Sequence, residues 1–381
     1  MFGIQEGMLP RSSFHLLTNL KYELRHAQSR SYVNVYMKWK KDRFFDSLEH
    51  IHKSAELKRI FALKHFISRS PENSIPISDV SKRGREFDVM IRVAAFLRQY
   101  PSVFEEFVGP NYNLPWFRLT NEALALDDEE KRVFHDNKDE LILRLKKLIL
   151  MSREKVLPLK IVKGLLWYLG LPLDFTENFG DYSNGCLKVV ESQDGCRGFG
   201  AEKAGEILSV LQKNAIKSGG HCGNSEVIEF PLFPSKGFRL RTKIDDWLKK
   251  FQKLPYVSPY GDTCDLNPAS DEAEKRVLAF LHELLCLFVD HSAQRRKLLC
   301  LKKPFGLPQK MHKAFERHPH IFYLSFRNGT CTVVLKEAYS NEAAIEKHPM
   351  LDVRKKYVEL MEDSRRIMKR KRMKTCVFLP P

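Results

Sequence analysis

Hydrophobic spacing predicts a definite order of elements in the first stretch of the chain. Leu57, Ile60 and Phe61 lie at helical spacing and begin a helix. That helix ends at Pro71, and a short helix over "SIPISDVSKRG" and a third over "REFDVMIRVAAFLRQYP" follow it. Two strand-like runs then flank the Gly-, Pro- and Asn-containing turn of "SVFEEFVGPNYNLPWFRLT". The predicted order is helix, short helix, helix, hairpin.

The same order recurs in two later stretches. One begins with the long helix "DELILRLKKLILM", continues with "LPLKIVKGL", which corresponds to "IPISDVSKR", and ends in "GCLKVVES". The other runs from "DEAEKRVLAFLHELLCLF" to the hairpin "IFYLSFRNGTCTVVLKEAY". Asn328 and Gly329 lie between the two strands of that hairpin and favour the positive φ angles of a type I′ turn.

Three helices around one small core, with a hairpin over its open side, are the plan of a winged helix. The pattern therefore predicts an α+β fold, predominantly α-helical, of tandem winged-helix-like modules. Coincidental alternation of helices and hairpins is the alternative. The predicted modules cover about 44–126, 137–192 and 271–340, with a connecting segment at 193–270. Within that segment we expect an amphipathic helix around Trp247 and a Pro/Tyr stretch that supports the modules.

Charge identifies the class of partner. The chain has 381 residues, with 64 Lys and Arg against 47 Asp and Glu, which gives a net charge of +17 and a pI of about 9.4. Such a surplus favours a polyanion, nucleic acid first and an anionic membrane second, while a basic but otherwise ordinary enzyme is the alternative. No apolar run approaches the roughly 18–20 residues that span a bilayer, so no membrane-spanning segment is expected.

The two ends of the chain carry further basic stretches. In the first 41 residues, seven Lys and Arg stand against two Glu, and Phe14, Leu17 and Leu20 lie at helical spacing. An amphipathic leader that is rich in Arg and Ser and poor in acids is typical of an organellar transit peptide, here predicted at 1–30, with a frayed basic terminus as the alternative. Residues 362–381 are predicted to form a basic tail. The eight cysteines contain no CxxC pair, which favours free thiols in a reducing compartment.

Basic side chains lie opposite apolar stripes in two predicted helices. Lys310, Lys313 and Arg317 form such a ridge in the third module, and Arg85, Arg92 and Arg98 form one in the first. Near the leader, "YMKWKKDR" alternates aromatic and basic residues, a pattern that suits unpaired RNA bases and phosphates. Solvated faces and core aromatics are the alternatives. The candidate nucleic-acid-binding residues are Lys38, Trp39, Lys40, Lys41, Arg43, Arg85, Arg92, Arg98, Arg295, Arg296, Lys302, Lys303, Lys310, Lys313 and Arg317.

Motifs for metal or catalysis are weak. "HELLC" comes close to the zinc-binding HExxH helix, but Cys286 replaces the second histidine and the surrounding leucines predict a packed core. Cys186, Cys196, His221 and Cys222 have no compact zinc-knuckle spacing. GxxxxGK[ST] and GxSxG do not occur. We therefore expect no cofactor, no metal and no enzymatic activity.

Several phrases together resemble a known family. "RSYVNVYMKWKKD", "YPSVFEEF", "KLPYVSPYGD", "SDEAEKRVLAFLHELL", "KAFERHPHIFYLS" and "EKHPMLDVRKKYVELM" are similar, in this order, to the plant organelle RNA recognition (PORR) family over about 31–361. The resemblance implies an RNA-binding protein that assists group II intron splicing in mitochondria or chloroplasts. It supplies no catalytic residues. Family members often have "HELLH" where this chain has "HELLC".

The resulting hypothesis is a splicing factor whose basic ridges neutralise intron phosphates while the RNA performs the chemistry. Its expected partners are organellar intron RNA and other splicing factors, with no membrane. The short leader, richer in Arg than in Thr, favours the mitochondrion over the chloroplast. Two rivals remain: a nuclear winged-helix DNA-binding protein that uses "KRKR" for import, and a Cys/His or zinc-dependent hydrolase.

Overall fold

The structure is a computed structural model that describes most of the chain after residue 40. The leader at 1–30 and the candidate residues Lys38, Trp39 and Lys40 lie outside the described residues. The described residues belong to one compact unit. The described residues are 41–109, 114–182, 185–191, 195–202, 207–219, 227–261, 266–340, 345 and 347–377.

Helices dominate, and short strands separate them. Among the described residues, the helices are α1 (Arg43–Asp46), α2 (Glu49–His52), α3 (Ser54–Ser68), α4 (Ile77–Ser81), α5 (Val93–Gln99), α6 (Asn121–Asp136), α7 (Lys138–Met151), α8 (Leu159–Leu169), α9 (Phe179–Tyr182), α10 (Val210–Lys217), α11 (Thr242–Gln252), α12 (Asp271–Leu287), α13 (Arg295–Cys300), α14 (Lys313–Arg317) and α15 (Met350–Val377). The strands are β1 (Ser74–Pro76), β2 (Phe104–Val108), β3 (Pro115–Leu119), β4 (Val156–Pro158), β5 (Lys188–Glu191), β6 (Arg197–Gly200), β7 (Ser292–Gln294), β8 (Phe322–Ser325) and β9 (Thr332–Leu335).

One topology occurs three times. The order helix, strand, helix, helix, strand, strand describes α3-β1-α4-α5-β2-β3, α7-β4-α8-α9-β5-β6 and α12-β7-α13-α14-β8-β9. In each repeat the three strands form an antiparallel sheet in the order first, third, second. The predicted α+β class is confirmed. The sequence pattern lacked the first strand of each repeat, because three residues are too few to show the period-two alternation of a strand.

The second repeat extends beyond its predicted end at residue 192. Its last strand, β6, has the sequence "RGFG", and the two glycines hide the apolar alternation that marks a strand. Gly198 is required there, because a Cβ at this position would lie 2.6 Å from the carbonyl oxygen of Leu157 on β4. The glycine thus allows β4 and β6 to pair closely.

The hairpin of the third repeat differs from the predicted type I′ turn. β8 ends at Ser325, which pairs with Thr332 at the start of β9, so six residues connect the strands instead of two. Arg327–Gly329 form a 3-10 turn, and Gly329 has the positive φ, +68°, that the sequence predicts. A two-residue turn is excluded because Phe326 and Arg327 do not continue the strand.

α15 joins the three repeats at one end of the chain. Arg354 on this helix donates to the carbonyl oxygen of Trp167 in the second repeat and forms an ion pair with Asp290, which follows α12 of the third. Arg365, further along α15, pairs with Glu56 in the first repeat at 3.2 Å. Because α15 extends to Val377, the predicted basic tail is helical from residue 362 to residue 377.

The connecting segment packs against the third repeat. The helix expected around Trp247 is α11. Buried Lys275 on α12 donates its ammonium protons to the carbonyl oxygens of Gln252 and Leu254, at 2.7 and 2.6 Å. On the other side, Lys336 donates to the carbonyl oxygen of Phe233 at 2.8 Å. These bonds fix the segment to both α12 and the end of β9.

Candidate nucleic-acid interface

A run of basic residues covers the middle of the third repeat. Between residues 295 and 313 the sequence has seven Lys and Arg and no Asp or Glu. Leu298, Phe305 and Met311 are buried and hold this segment on the core of the repeat. We call its basic residues the basic strip: Arg295, Arg296, Lys297, Lys302, Lys303, Lys310 and Lys313.

Most of the basic strip faces solvent. Arg296, Lys303, Lys310 and Lys313 are exposed, and no ion pair forms at these four side chains within the described part of the chain. Arg295 and Lys302, which were also predicted to bind nucleic acid, each contact a neighbouring side chain. Arg295 pairs with Glu316 at 3.4 Å, and Lys302 donates to the side chain of Gln309 at 3.1 Å.

Lys297 belongs to the strip but was absent from the predicted residues. It follows Arg296 directly on α13 and is exposed. The charge run "RRK" at the start of that helix was the available signal. Exposed cations without neighbouring carboxylates are suited to bind phosphates, since nothing in the protein neutralises them first.

Arg317 is not part of the exposed ridge that its spacing predicts. Its side chain is only 12% exposed and forms an ion pair with Glu274 on α12 at 2.9 Å. The guanidinium also lies 5.4 Å from the centre of the Trp247 ring. The spacing rule fails because α14 begins at Lys313, and turns replace the helix at Lys310. Arg317 therefore joins α14 to α12 and α11.

The basic ridge of the first repeat is also interrupted. α5 begins at Val93, so Arg92 precedes the helix and Arg85 lies in the turns before it. Both are exposed. Arg98 instead donates two hydrogen bonds to Glu106 on β2, at 2.8 and 2.5 Å. These bonds raise the pKa of Arg98 and neutralise its charge locally. Arg85 and Arg92 are left as exposed cations of the first repeat.

Two basic residues of the N-terminal stretch lie beside the third repeat. Lys41 and Arg43 are exposed and line a groove with Phe326 and Arg327 of the β8–β9 turn. The groove has a volume of about 580 Å³. Lys41 and Arg43 are thus close in space to a hairpin turn almost 300 residues later in the chain, which a spacing pattern cannot reveal.

The "HELLC" residues form a buried polar cluster. His282 is 2.7 Å from Glu337, and its other ring nitrogen is 3.5 Å from the sulfur of Cys286. All three residues are buried, and burial raises the pKa of the Cys286 thiol well above its usual value. A thiol of this kind is a poor nucleophile. The position of Glu337 after β9 gave no sequence signal for this pairing.

The described residues were compared with the requirements of a metal site and of a membrane-spanning helix. Among them, no group of three or more His, Cys, Asp or Glu is placed to hold a metal ion, and His221 and Cys222 lie outside them. No described helix combines the length and the apolar character needed to cross a bilayer.

Comparison with known proteins gives one family match. The profile described as "Plant organelle RNA recognition domain" matches residues 40–366. The chain is 59% identical to the protein WHAT'S THIS FACTOR 9, mitochondrial, of Arabidopsis thaliana, over 91% of this chain and 90% of that protein. It is 27% identical to the chloroplastic WHAT'S THIS FACTOR 1 homolog of the same plant, over 85% of this chain but 63% of that protein. No solved structure matches the chain.

Proposed function

Because the chain belongs to the plant organelle RNA recognition family, we propose that it binds RNA in a plant mitochondrion and promotes the splicing of group II introns there. The family match supports the predicted RNA-binding function, and the mitochondrial name of the 59% identical relative supports the location. Its role is binding, with the RNA performing phosphoryl transfer. The buried state of Cys286 and His282 is consistent with a protein that is not an enzyme.

The observation that carries this function is the basic strip. Its exposed members can neutralise phosphates and release condensed counterions, which supplies affinity without reading the sequence. Where intron helices converge, such neutralisation would lower their mutual repulsion and favour the compact fold that splices. Arg85 and Arg92 would extend the contact to a second repeat.

Each repeat is proposed to be a winged-helix-like module. The sheet order first, third, second, with the second and third strands as the hairpin, supports this view. In such a module the third helix and the hairpin approach nucleic acid. In the third repeat these are α14 and β8–β9, and the basic strip leads into α14. The modules would cover about 44–126, 137–200 and 271–340.

Binding by the purified chain tests this function directly. A group II intron RNA, a single-stranded RNA and a DNA duplex are compared by fluorescence anisotropy over a salt series. We expect the RNAs to bind more tightly than the DNA. If about five phosphates are contacted, log K against log salt should have a slope of about −3.5 on the single strand. Preference for the DNA duplex would favour the nuclear rival, and a flat salt response would contradict the phosphate contacts.

Neutralising the basic strip should weaken RNA binding without affecting folding. We predict that Lys303→Gln, Lys310→Gln and Lys313→Gln together reduce the magnitude of the salt slope by about 2, at roughly 0.7 for each lost contact. Thermal unfolding should not change, because all three side chains are exposed.

A matched control lowers the net charge equally at another place. Lys243, Lys250 and Lys253 are exposed residues on or beside α11, and their change to Gln should leave the salt slope almost unchanged. Equal effects of the two triple variants would mean that net charge alone, without a defined strip, determines the affinity. Arg317 is left out of the variant because its loss would disturb the packing of α14.

A further inference from the structure

The first described residues are fastened to the hairpin of the third repeat. The hydroxyl of Tyr323 on β8 accepts a hydrogen bond from the backbone N–H of Asp42 at 3.2 Å and donates one to the carboxylate of Asp46 at 3.0 Å. Ser325 donates to the same carboxylate oxygen at 3.0 Å. Since Asp42 and Asp46 lie at the two ends of α1, these bonds fix the whole short helix on the sheet.

A series of aromatic rings leads from this sheet to solvent. Phe45 stacks on Tyr323, with ring centres 4.9 Å apart and planes 24° apart. Phe44 meets Phe45 edge to face at 5.1 Å, and its backbone N–H is held by the side chain of Asp42 at 3.0 Å. Phe45 is buried, whereas Phe44 is 52% exposed. The ring of Phe44 is thus exposed on a fixed backbone.

The hairpin turn presents a second exposed ring. Phe326 directly follows β8 and is 54% exposed. The next residue, Arg327, donates to the backbone carbonyl of Asp46 and pairs with Glu49 at 2.9 Å, so the turn is tied to α1 and α2. Exposing two phenylalanine rings this close to one short helix costs hydration free energy. A ligand that covers the rings would recover it.

Each ring borders a groove, and the same two cations line both. Phe326 and Arg327 line the groove of about 580 Å³. Phe44 and Lys236 line a second groove of about 510 Å³. Lys41 and Arg43 line both grooves. Both volumes fall within the roughly 300–1,000 Å³ of typical ligand sites.

The carboxylates at these grooves are already engaged within the protein. Asp46 accepts from Tyr323 and Ser325 and lies 3.8 Å from the ammonium of Lys41, whose side chain is still 72% exposed. Glu49 pairs with Lys53 and Arg327. Asp42 caps α1. Arg43, by contrast, makes no ion pair within the described residues. An anion that approaches Arg43 therefore meets a cation whose charge is not offset by a direct partner.

We propose that the two grooves bind one single-stranded RNA segment, with Phe44 and Phe326 stacking on unpaired bases and with Lys41 and Arg43 contacting its phosphates. The inference rests on the RNA-binding function proposed above and adds the class of RNA that this surface selects. Rings beside cations match a chain that alternates flat bases with phosphates. A duplex is excluded because its bases are already stacked on one another.

The test compares single-stranded and duplex RNA of equal length. Phe44→Ala and Phe326→Ala are measured by anisotropy with a single-stranded RNA of roughly 16 nucleotides, and with the same strand in a perfect duplex. Each change should lower the affinity for the single strand roughly 5- to 150-fold and leave the salt slope unchanged, because stacking involves no counterion release. Duplex affinity should not change. Phe44→Trp should retain single-strand binding, because tryptophan also stacks.

A matched control removes an exposed apolar side chain elsewhere. Leu143 on α7 is 48% exposed, and Leu143→Ala should bind both RNAs like the unchanged protein. If the protein binds single-stranded RNA and both phenylalanine variants bind it equally well, the stacking site is wrong while the RNA-binding function stands. If the phenylalanine variants lost the same affinity for the single strand and for the duplex, the stacking site would also be wrong. If the unchanged protein binds no RNA, the proposed function itself fails.

Discussion

Arg354→Met should lower the free energy of unfolding by about 3–5 kcal/mol, the largest effect that we expect from a single substitution in this protein. Arg354 and Asp290 are each about 4% exposed, and their ion pair measures 2.9 Å. The guanidinium also lies 3.9 Å from the ring centre of Trp167 and donates to that residue's carbonyl oxygen. Methionine fills similar space but leaves the buried carboxylate of Asp290 without its partner.

Chemical denaturation measures this effect, and two further variants make it specific. Arg354→Met combined with Asp290→Asn should recover part of the loss, because no uncompensated charge is then buried. Arg366→Met is the control: this exposed residue pairs with Asp363 one turn earlier, and such surface pairs contribute at most about 1 kcal/mol. If the Arg354 and Arg366 variants proved equally stable, the attachment of α15 to the second and third repeats would not depend on Arg354.

The threefold order of elements could be predicted because each repeat begins with a long helix that has a clear apolar period. α3 is a plain example, because its buried residues Leu57, Ile60 and Phe61 follow the helical spacing of three and four. Short elements escaped the same reasoning. β1, β4 and β7 have three residues each, and α14 has five, so none is long enough to display a period. The three strands form because each pairs with a strand that lies later in its repeat, as β7 pairs with β9.

The basic residues of the candidate site could be predicted from the sequence. Which of them are free of ion pairs within the protein, and so can bind phosphate, could not. Arg98 and Arg317 have the same sequence character as Arg92 and Lys313, yet both are engaged by glutamates. Glu106 reaches Arg98 from a strand that turns back on α5, and Glu274 reaches Arg317 from another helix. A charge can be read from the sequence, whereas the partner that neutralises it depends on the tertiary fold.

The protein should lose stability steeply below neutral pH because several buried histidines are held in the neutral form. Burial lowers the pKa of His291, His320 and His348 to about 4 each. In the unfolded chain a histidine titrates near 6.5, so below that pH the unfolded state binds more protons than the folded state. Stability therefore falls as the pH drops from about 6.5 and levels off below about 4. At pH 5 the protonation of unfolded His291, whose folded side chain is 1% exposed, should lower the free energy of unfolding by about 2 kcal/mol relative to pH 7.

His291→Asn tests this account at one position. His291 has φ +44°, a conformation that asparagine adopts more readily than most residues, and its Nδ1 lies 3.2 Å from the carbonyl oxygen of Leu285, within reach of an amide donor. The variant cannot take up the proton, so the loss of unfolding free energy between pH 7 and pH 5 should shrink by about 2 kcal/mol. Denaturation at both pH values separates this change from any packing cost, which is the same at each. If the unfolding free energy of the variant and of the unchanged protein had the same pH dependence, the fold would not hold His291 neutral. Other groups would then cause the protein's loss of stability in acid.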